Sequence, residues 1–144
     1  MIVYVDASAL VKRYVTEPGS AAVNAVLAGA AALGTSVITR AEVAAALGKA
    51  ARMRVVSEAD AAAALGAFAG DWADLTRLRL TESTAVRAAS LAWDHGLRGY
   101  DAVHLATALL WRELMDAPVM LATFDRQLWD AASGLGFAAW PETI

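Results

Sequence analysis

The chain has 144 residues, of which 58% are hydrophobic, and it carries a formal net charge of −3 with a pI near 5.3. So much apolar material suits a well-buried core and excludes a disordered chain. Because the chain has no cysteine, disulfides, iron–sulfur clusters and thiolate zinc sites are excluded as well. An acidic chain does not bind nucleic acid through bulk positive charge, so any such contact must be local or helped by a bound cation.

The amino-terminal residues 1–6 carry no basic segment ahead of an apolar one, so we expect no signal peptide and a cytoplasmic location. The stretch 18–39 has no charge and is long enough to resemble a membrane span. However, polar residues interrupt it, Gly34-Thr35 breaks it, and alanine rather than leucine dominates it. We therefore predict a short buried helix followed by a buried strand, with no membrane segment.

Short apolar strands alternate with helices along the chain. The strands are predicted at 2–5, 36–38, 78–80 and 119–122, with a possible edge strand at 137–140. The helices are predicted at 8–15, 20–32, 39–53, 57–75, 82–95, 101–115 and 126–133. This order predicts a single domain over residues 1–144, a three-layer α/β/α sandwich around a central parallel sheet of four to five strands.

Acidic residues stand where such a sheet forms its sites, beyond the carboxyl ends of the strands. Asp6 follows the first strand, Glu42 lies four residues beyond the second, and Asp125 follows the fourth. Asp101 begins a helix after a glycine-flanked loop and could join them. Each acid also has an ordinary alternative: the three aspartates could be helix N-caps, and Thr39-x-x-Glu42 fits a capping box.

Carboxylates that gather in a cleft repel one another unless a cation lies between them. A ligand set made only of oxygen atoms suits a hard ion such as Mg²⁺ or Mn²⁺. Such ions can activate water and neutralise charge on a phosphodiester. The acids therefore indicate metal-dependent phosphodiester chemistry, which would also explain how an acidic chain attracts a phosphate.

The sequences around the acids resemble the motifs of the PIN-domain ribonucleases, most closely the VapC-type toxins of toxin–antitoxin pairs. The motif around the first acid covers Val3–Tyr14 and continues through Glu17–Ser20. The others are Thr39–Val43, Arg98–Ala106 and Leu121–Leu128. The resemblance extends from one end of the chain to the other, and no acid of the pattern is missing.

This resemblance implies that Asp6, Glu42, Asp101 and Asp125 are the metal-binding and catalytic residues. It implies that the hydroxyls of Ser8 and Thr123 orient a carboxylate or a water. It further implies Mg²⁺ or Mn²⁺ as cofactor, endonucleolytic cleavage of RNA, a small antitoxin protein as partner, and a homodimer.

Basic and aromatic residues near the acids are weaker candidates. Arg13 and Arg98 could contact RNA phosphates, Arg98 in preference because its loop leads into Asp101; the alternative is that they pair with acids or are solvated. His104 shares a helical face with Asp101, but a hard-ion site does not require it, so we expect a packed or capping residue. Core or dimer contacts are expected for Trp72, Trp93, Trp111 and Trp129.

Two other functions are compatible with parts of the pattern. Asp6 could be the nucleophile of a haloacid-dehalogenase-like phosphatase or of a receiver domain. The phosphatase needs a second acid where Ser8 stands, and both need a lysine after a later strand, where neither Lys12 nor Lys49 lies. The chain could instead be a catalytically silent PIN-fold module that binds protein or RNA, and such a module would not bind Mg²⁺ or Mn²⁺.

Overall fold

Five parallel strands form one sheet in the order β3-β2-β1-β4-β5, in a computed structural model that describes residues 1–144. The central strand β1 pairs with β2 on one side and with β4 on the other. The predicted parallel sheet is confirmed. Its strands are β1 (Ile2–Val5), β2 (Ala32–Ser36), β3 (Thr76–Leu78), β4 (Val119–Ala122) and β5 (Ala138–Trp140).

Seven α-helices cover the two faces of the sheet. They are α1 (Ala7–Leu10), α2 (Ser20–Ala28), α3 (Thr39–Arg52), α4 (Glu58–Asp71), α5 (Glu82–His95), α6 (Gly99–Met115) and α7 (Arg126–Gly134).

Successive side chains of β1 point to opposite faces and so serve two separate hydrophobic clusters. Tyr4 packs with residues of α5, α6 and α7, whereas Val3 and Val5 pack with residues of α1 to α4. This arrangement is the predicted three-layer sandwich. No helix is at once long enough and apolar enough to cross a bilayer.

The second strand lies earlier in the chain than we predicted. We expected a helix over 20–32 and a strand over 36–38, but α2 already ends at Ala28, and β2 begins at Ala32 and contains Gly34. The reason is a close approach: a Cβ atom on Gly34 would lie 2.5 Å from Cζ3 of Trp111. Strand β3 (Thr76–Leu78) likewise begins two residues before the predicted 78–80, because leucines at 75, 78 and 80 give no clear sign of where the strand starts.

The strand order reverses direction beside β1, and that reversal creates the crevice in which open α/β sheets form their sites. The carboxyl ends of the central strands are joined by backbone hydrogen bonds. The N–H of Asp6 donates to the carbonyl of Ala122 at 3.2 Å, and that of Thr123 donates to the carbonyl of Trp140 at 3.0 Å. The first residues after β1 and β4 are thereby held side by side.

Candidate active site

Asp6 is buried directly after β1, and its carboxylate is surrounded by donors. The hydroxyl of Ser8 lies 2.7 and 2.9 Å from its two oxygens, the Thr123 hydroxyl donates to Oδ2 at 2.8 Å, and the N–H of Ala9 donates to Oδ1 at 3.0 Å. Ser8 Oγ in turn accepts from the N–H of Phe124 at 2.8 Å. The two hydroxyls thus bind the end of β1 to the end of β4 and fix the carboxylate between them.

Asp101 and Asp125 share one guanidinium. Arg98 donates from Nε to Asp101 Oδ2 at 2.9 Å and from Nη2 to Asp125 Oδ2 at 2.8 Å. Asp125 is also connected to Asp6, because its N–H donates to Thr123 Oγ1 at 3.0 Å. The Arg98 side chain is 72% exposed and so lies at the rim of the crevice, whereas the side chains of Asp101 and Asp125 are only 10% and 22% exposed.

Glu42 approaches from α3 and is paired with His104 of α6. The imidazole Nε2 lies 2.6 Å from Glu42 Oε1, and the other ring nitrogen, Nδ1, lies 2.8 Å from the hydroxyl of Tyr4. The His104 ring is 1% exposed, whereas Glu42 is 26% exposed. No second partner contacts the Glu42 carboxylate, so Oε2 is left without a protein donor.

Burial is the largest influence on the pKa values of Asp6, Asp101 and His104. Burial raises the pKa of Asp6 despite the opposing effects of His104 and its hydrogen-bond donors. Burial also raises the pKa of Asp101; Arg98 opposes this shift, and Asp125 adds to it. For His104, burial lowers the pKa, but the hydrogen bond to Glu42 and the charges of nearby carboxylates outweigh it, so the net shift is upward. Such shifts indicate an excess of negative charge in a poorly hydrated place.

Two of the four acids cap helices, and two do not. Asp6 and Asp125 do cap helices, accepting from the N–H groups of Ala9 and Leu128. Asp101 does not, because α6 begins two residues earlier, at Gly99. The capping box is also wrong: Ile38 occupies the N-cap of α3 without a side-chain cap, and the Glu42 carboxylate bonds His104 instead.

A divalent cation fits this site by the kind of donors it offers, although arginine and histidine hold part of the donor set. No three of its acidic and histidine side chains meet closely enough to hold an ion as they stand. Oε2 of Glu42 and Oδ1 of Asp101 are without protein partners. Hydrogen bonds through Thr123 and Arg98 link Asp6, Asp125 and Asp101, whereas Glu42 is bonded to His104 alone, whose ring interacts electrostatically with Asp6 and Asp101. Oxygen ligands of this kind suit Mg²⁺ or Mn²⁺. A metal that contacted Oδ2 of Asp101 or of Asp125 would displace Arg98 from that atom.

The remaining sequence candidates have other surroundings. Arg13 pairs with Asp71 at 3.3 Å rather than with any of the four acids. Trp72 and Trp111 are buried in the core as expected, but Trp93 is 90% exposed and so has no core role. His104 is the residue whose part in the site the sequence did not predict. Its spacing of three residues from Asp101 placed it on the correct helical face, but nothing local indicated Glu42 as its partner.

Comparison with known proteins gives a consistent result. Residues 3–134 match the sequence profile of the PIN domain. Ribonuclease VapC49 of Mycobacterium tuberculosis (strain ATCC 25618 / H37Rv) is 39% identical over 143 residues, which cover 99% of this chain and 97% of the relative. Among solved structures, FitAcB from Neisseria gonorrhoeae has a TM-score of 0.69 at 19% identity, covering 96% of both chains. A toxin–antitoxin complex from Klebsiella pneumoniae has a TM-score of 0.64 at 17% identity, covering 96% of this chain and 95% of the other. The two solved structures show a shared fold.

Proposed function

This chain belongs to the PIN-domain family, and on that premise we propose that it is a metal-dependent endoribonuclease, the toxin of a toxin–antitoxin pair. The observation that carries the proposal is the arrangement at the carboxyl edge of the sheet, where Thr123 and Arg98 link Asp6, Asp125 and Asp101, and Glu42 bonds the His104 ring that interacts with Asp6 and Asp101. The ribonuclease name of the 39% identical relative supports RNA as the substrate. We propose that residues 1–144 act as one domain in the cytoplasm.

The four acids, Asp6, Glu42, Asp101 and Asp125, would hold the cation, with Mg²⁺ or Mn²⁺ as the proposed ion. When bound, it would offset the charge that develops on the phosphodiester and would favour attack by water. The protein's part is to keep its ligands in place beforehand. Asp6 is suited to this because Ser8, Thr123 and the backbone of Ala9 already fix both of its oxygens.

Arg98 would have two successive partners. Without a cation, its guanidinium neutralises Asp101 and Asp125. Once a cation takes over those oxygens, the arginine is released at the rim with its five N–H donors, which match the geometry of a phosphate. We propose that it then contacts the RNA backbone. Arg13 is a weaker candidate for such a contact, because it is already paired with Asp71.

The proposed partners are a small antitoxin protein and a second copy of the chain. The similarity to a toxin–antitoxin complex from Klebsiella pneumoniae supports the first. The exposed Trp93 supports the second, because it lies on α5 seven positions after the exposed Val86 and therefore on the same face. Sedimentation of the purified chain would test the homodimer, and we expect Trp93→Lys to yield monomers.

The decisive experiment incubates the purified chain with RNA and Mn²⁺ or Mg²⁺, with EDTA as the blank. Cleavage that needs the ion is expected from the natural chain and is expected to be lost in Asp6→Asn and Asp101→Asn. Asp130→Asn is the matched control, since this acid pairs with Arg126 on the surface of α7 and is not one of the four acids. Equal cleavage by all four proteins would refute the proposal.

The same experiment addresses the alternative of a catalytically silent PIN-fold module. Such a protein would bind RNA or a partner protein without cutting RNA, and it would not bind Mn²⁺. The presence of all four acids favours the enzyme.

A further inference from the structure

A buried polar chain runs from the core of the sheet to the site. It begins at Tyr4, whose side chain is fully buried beneath α6, passes through the ring of His104, and ends on Glu42. The tyrosine and imidazole rings also meet edge to face, with centroids 5.9 Å apart and an interplanar angle of 71°. The histidine is therefore fixed both by a hydrogen bond and by packing, and its only outlet towards the site is Nε2.

The hydrogen-bond roles follow from the groups involved. An ionised carboxylate can only accept, so Nε2 of His104 must carry a hydrogen to bond Glu42. A hydroxyl can donate or accept, so Tyr4 bonds Nδ1 whether or not that nitrogen is protonated. The contact to Glu42 is thus kept in both charge states of the ring, with the ring orientation fixed from behind by Tyr4.

Glu42 depends on this contact more than the other acids depend on theirs. Asp6 has several donors around it, and Asp125 is held by Arg98 and by the N–H of Leu128. The longer glutamate side chain has His104 alone. Without it, the carboxylate of an otherwise unrestrained and partly exposed side chain would sample several rotamers.

We propose that His104, held by Tyr4, is a positioning residue that keeps Glu42 in the site with Oε1 engaged and Oε2 available to a divalent cation. The inference rests on the proposed function, because it concerns how that function's metal ligands are arranged. His104 acts through Glu42 and contacts neither the cation nor the RNA. Outer partners of this kind are worth about 10-fold to 100-fold in metal affinity in other sites.

Two amide substitutions separate the two ends of the ring. In His104→Gln the amide nitrogen reaches the place of Nε2 and can still donate to Glu42. In His104→Asn the amide reaches only the place of Nδ1, so Tyr4 keeps a partner and Glu42 loses its donor. We expect Mn²⁺ affinity to stay within about three-fold of the natural chain in the glutamine variant and to fall about 10-fold or more in the asparagine variant.

The primary measurement is Mn²⁺ binding to the purified chain, followed by electron paramagnetic resonance of the free ion and independent of catalysis. Circular dichroism establishes that each variant is folded. RNA cleavage is the second readout, and we expect His104→Asn to lower kcat with little change in KM. Tyr4→Phe, which keeps the ring and removes the hydroxyl, should weaken Mn²⁺ binding by a smaller factor, and it carries the test should neither His104 variant fold.

A double-mutant comparison identifies the route of the effect. In a Glu42→Gln background there is no carboxylate to position, so the two His104 variants should bind Mn²⁺ equally. Equal affinities in the natural background would show that His104 merely packs, and a difference that persists in Glu42→Gln would show that it contacts the cation itself. Unchanged Mn²⁺ affinity in Tyr4→Phe would show that the tyrosine plays no part in positioning Glu42. If both His104 variants also failed to fold, that result would overturn the proposal. A natural chain that neither binds Mn²⁺ nor cuts RNA would refute the proposed function, and this inference with it.

Discussion

Nη2 of Arg98 donates to Oδ2 of Asp125 at 2.8 Å, across 27 positions of the chain. The same guanidinium donates to Asp101 from Nε. One protein cation therefore lies between two acids that the proposed function assigns to a metal ion. Asp101 and Asp125 are only 10% and 22% exposed, but solvent around the 72% exposed Arg98 side chain screens the ion pair, so its contribution is on the order of 1 kcal/mol. The arrangement suits a counter-ion that can leave.

The first prediction concerns this competition. Arg98→Gln should bind Mn²⁺ about two- to five-fold more tightly. The variant loses the guanidinium that competes with the metal for the acids, and that ion pair contributes about 1 kcal/mol or less. The same variant should show a higher KM for RNA, because a phosphate-binding group is gone. Calorimetric titration with Mn²⁺ and steady-state cleavage measure the two effects. Arg126→Gln is the control, as its guanidinium pairs with Asp130 on α7. Unchanged or weaker Mn²⁺ binding in Arg98→Gln would contradict the competition.

The second prediction concerns the hydroxyls that join β1 to β4. Thr123→Val keeps the shape of a fully buried side chain but removes the donor to Asp6 and leaves the N–H of Asp125 without its acceptor. We expect a loss of about 1–3 kcal/mol in the free energy of unfolding, the usual cost of a buried group left unpaired. Urea denaturation in EDTA measures it, and Mn²⁺ affinity should fall in parallel.

A matched substitution distinguishes site from core. Thr84→Val replaces another buried threonine, which lies in the first turn of α5 and bonds only the cap residue Thr81. It can cost some stability but should leave Mn²⁺ affinity unaltered. Comparable losses of Mn²⁺ affinity in Thr84→Val and Thr123→Val would mean that the Thr123 hydroxyl has no special relation to the acids.

The third prediction is a pH dependence of the metal-free protein. Because burial raises the pKa of Asp6, the folded chain binds this proton more tightly than the unfolded chain does. The resulting stabilisation is complete below the unfolded pKa of about 3.9 and is lost as the pH rises through the higher folded value. Asp101 and His104, whose pKa values are also raised, act in the same direction. Asparagine cannot ionise, so Asp6→Asn should lose less stability than the natural chain as the pH rises.

The measurement compares melting temperatures in EDTA. Relative to the natural chain, Asp6→Asn should gain melting temperature as the pH rises above the unfolded pKa of about 3.9, because the natural carboxyl must then ionise in a buried place and the amide need not. Adding Mn²⁺ near neutral pH should raise the Tm of the natural chain and not that of the variant, since a ligand stabilises only the fold that binds it. A Tm difference independent of pH would show that the Asp6 carboxylate is not destabilised by its surroundings.

The sequence predicted the parallel sheet because strands and helices alternate with clear apolar periodicity. It also predicted that acids following β1, β2 and β4 would share one edge, because that is a property of the topology. The sequence did not predict the hydrogen-bond partners of those acids. His104 and Glu42 lie 62 positions apart, and their contact exists only because α3 and α6 approach the same end of β1. The contact of Arg98 with both Asp101 and Asp125 depends on side-chain geometry. From the sequence, pairing with acids was only one alternative for Arg98, beside contact with RNA and solvation.

The last prediction tests why β2 contains a glycine. A methyl group at Gly34 would lie 2.5 Å from Cζ3 and 2.6 Å from Cη2 of the buried Trp111 ring. Gly34→Ala should therefore lose about 1–3 kcal/mol of unfolding free energy by overpacking, measured by urea denaturation. The double variant with Trp111→Phe should recover part of the loss, because the smaller ring no longer reaches β2. Gly66→Ala, in α4 with open space around it, is the opposite control and should stabilise the chain by about 0.5–1 kcal/mol. If Gly34→Ala were as stable as the natural chain, or if Trp111→Phe gave no recovery, the glycine would not be explained by the tryptophan.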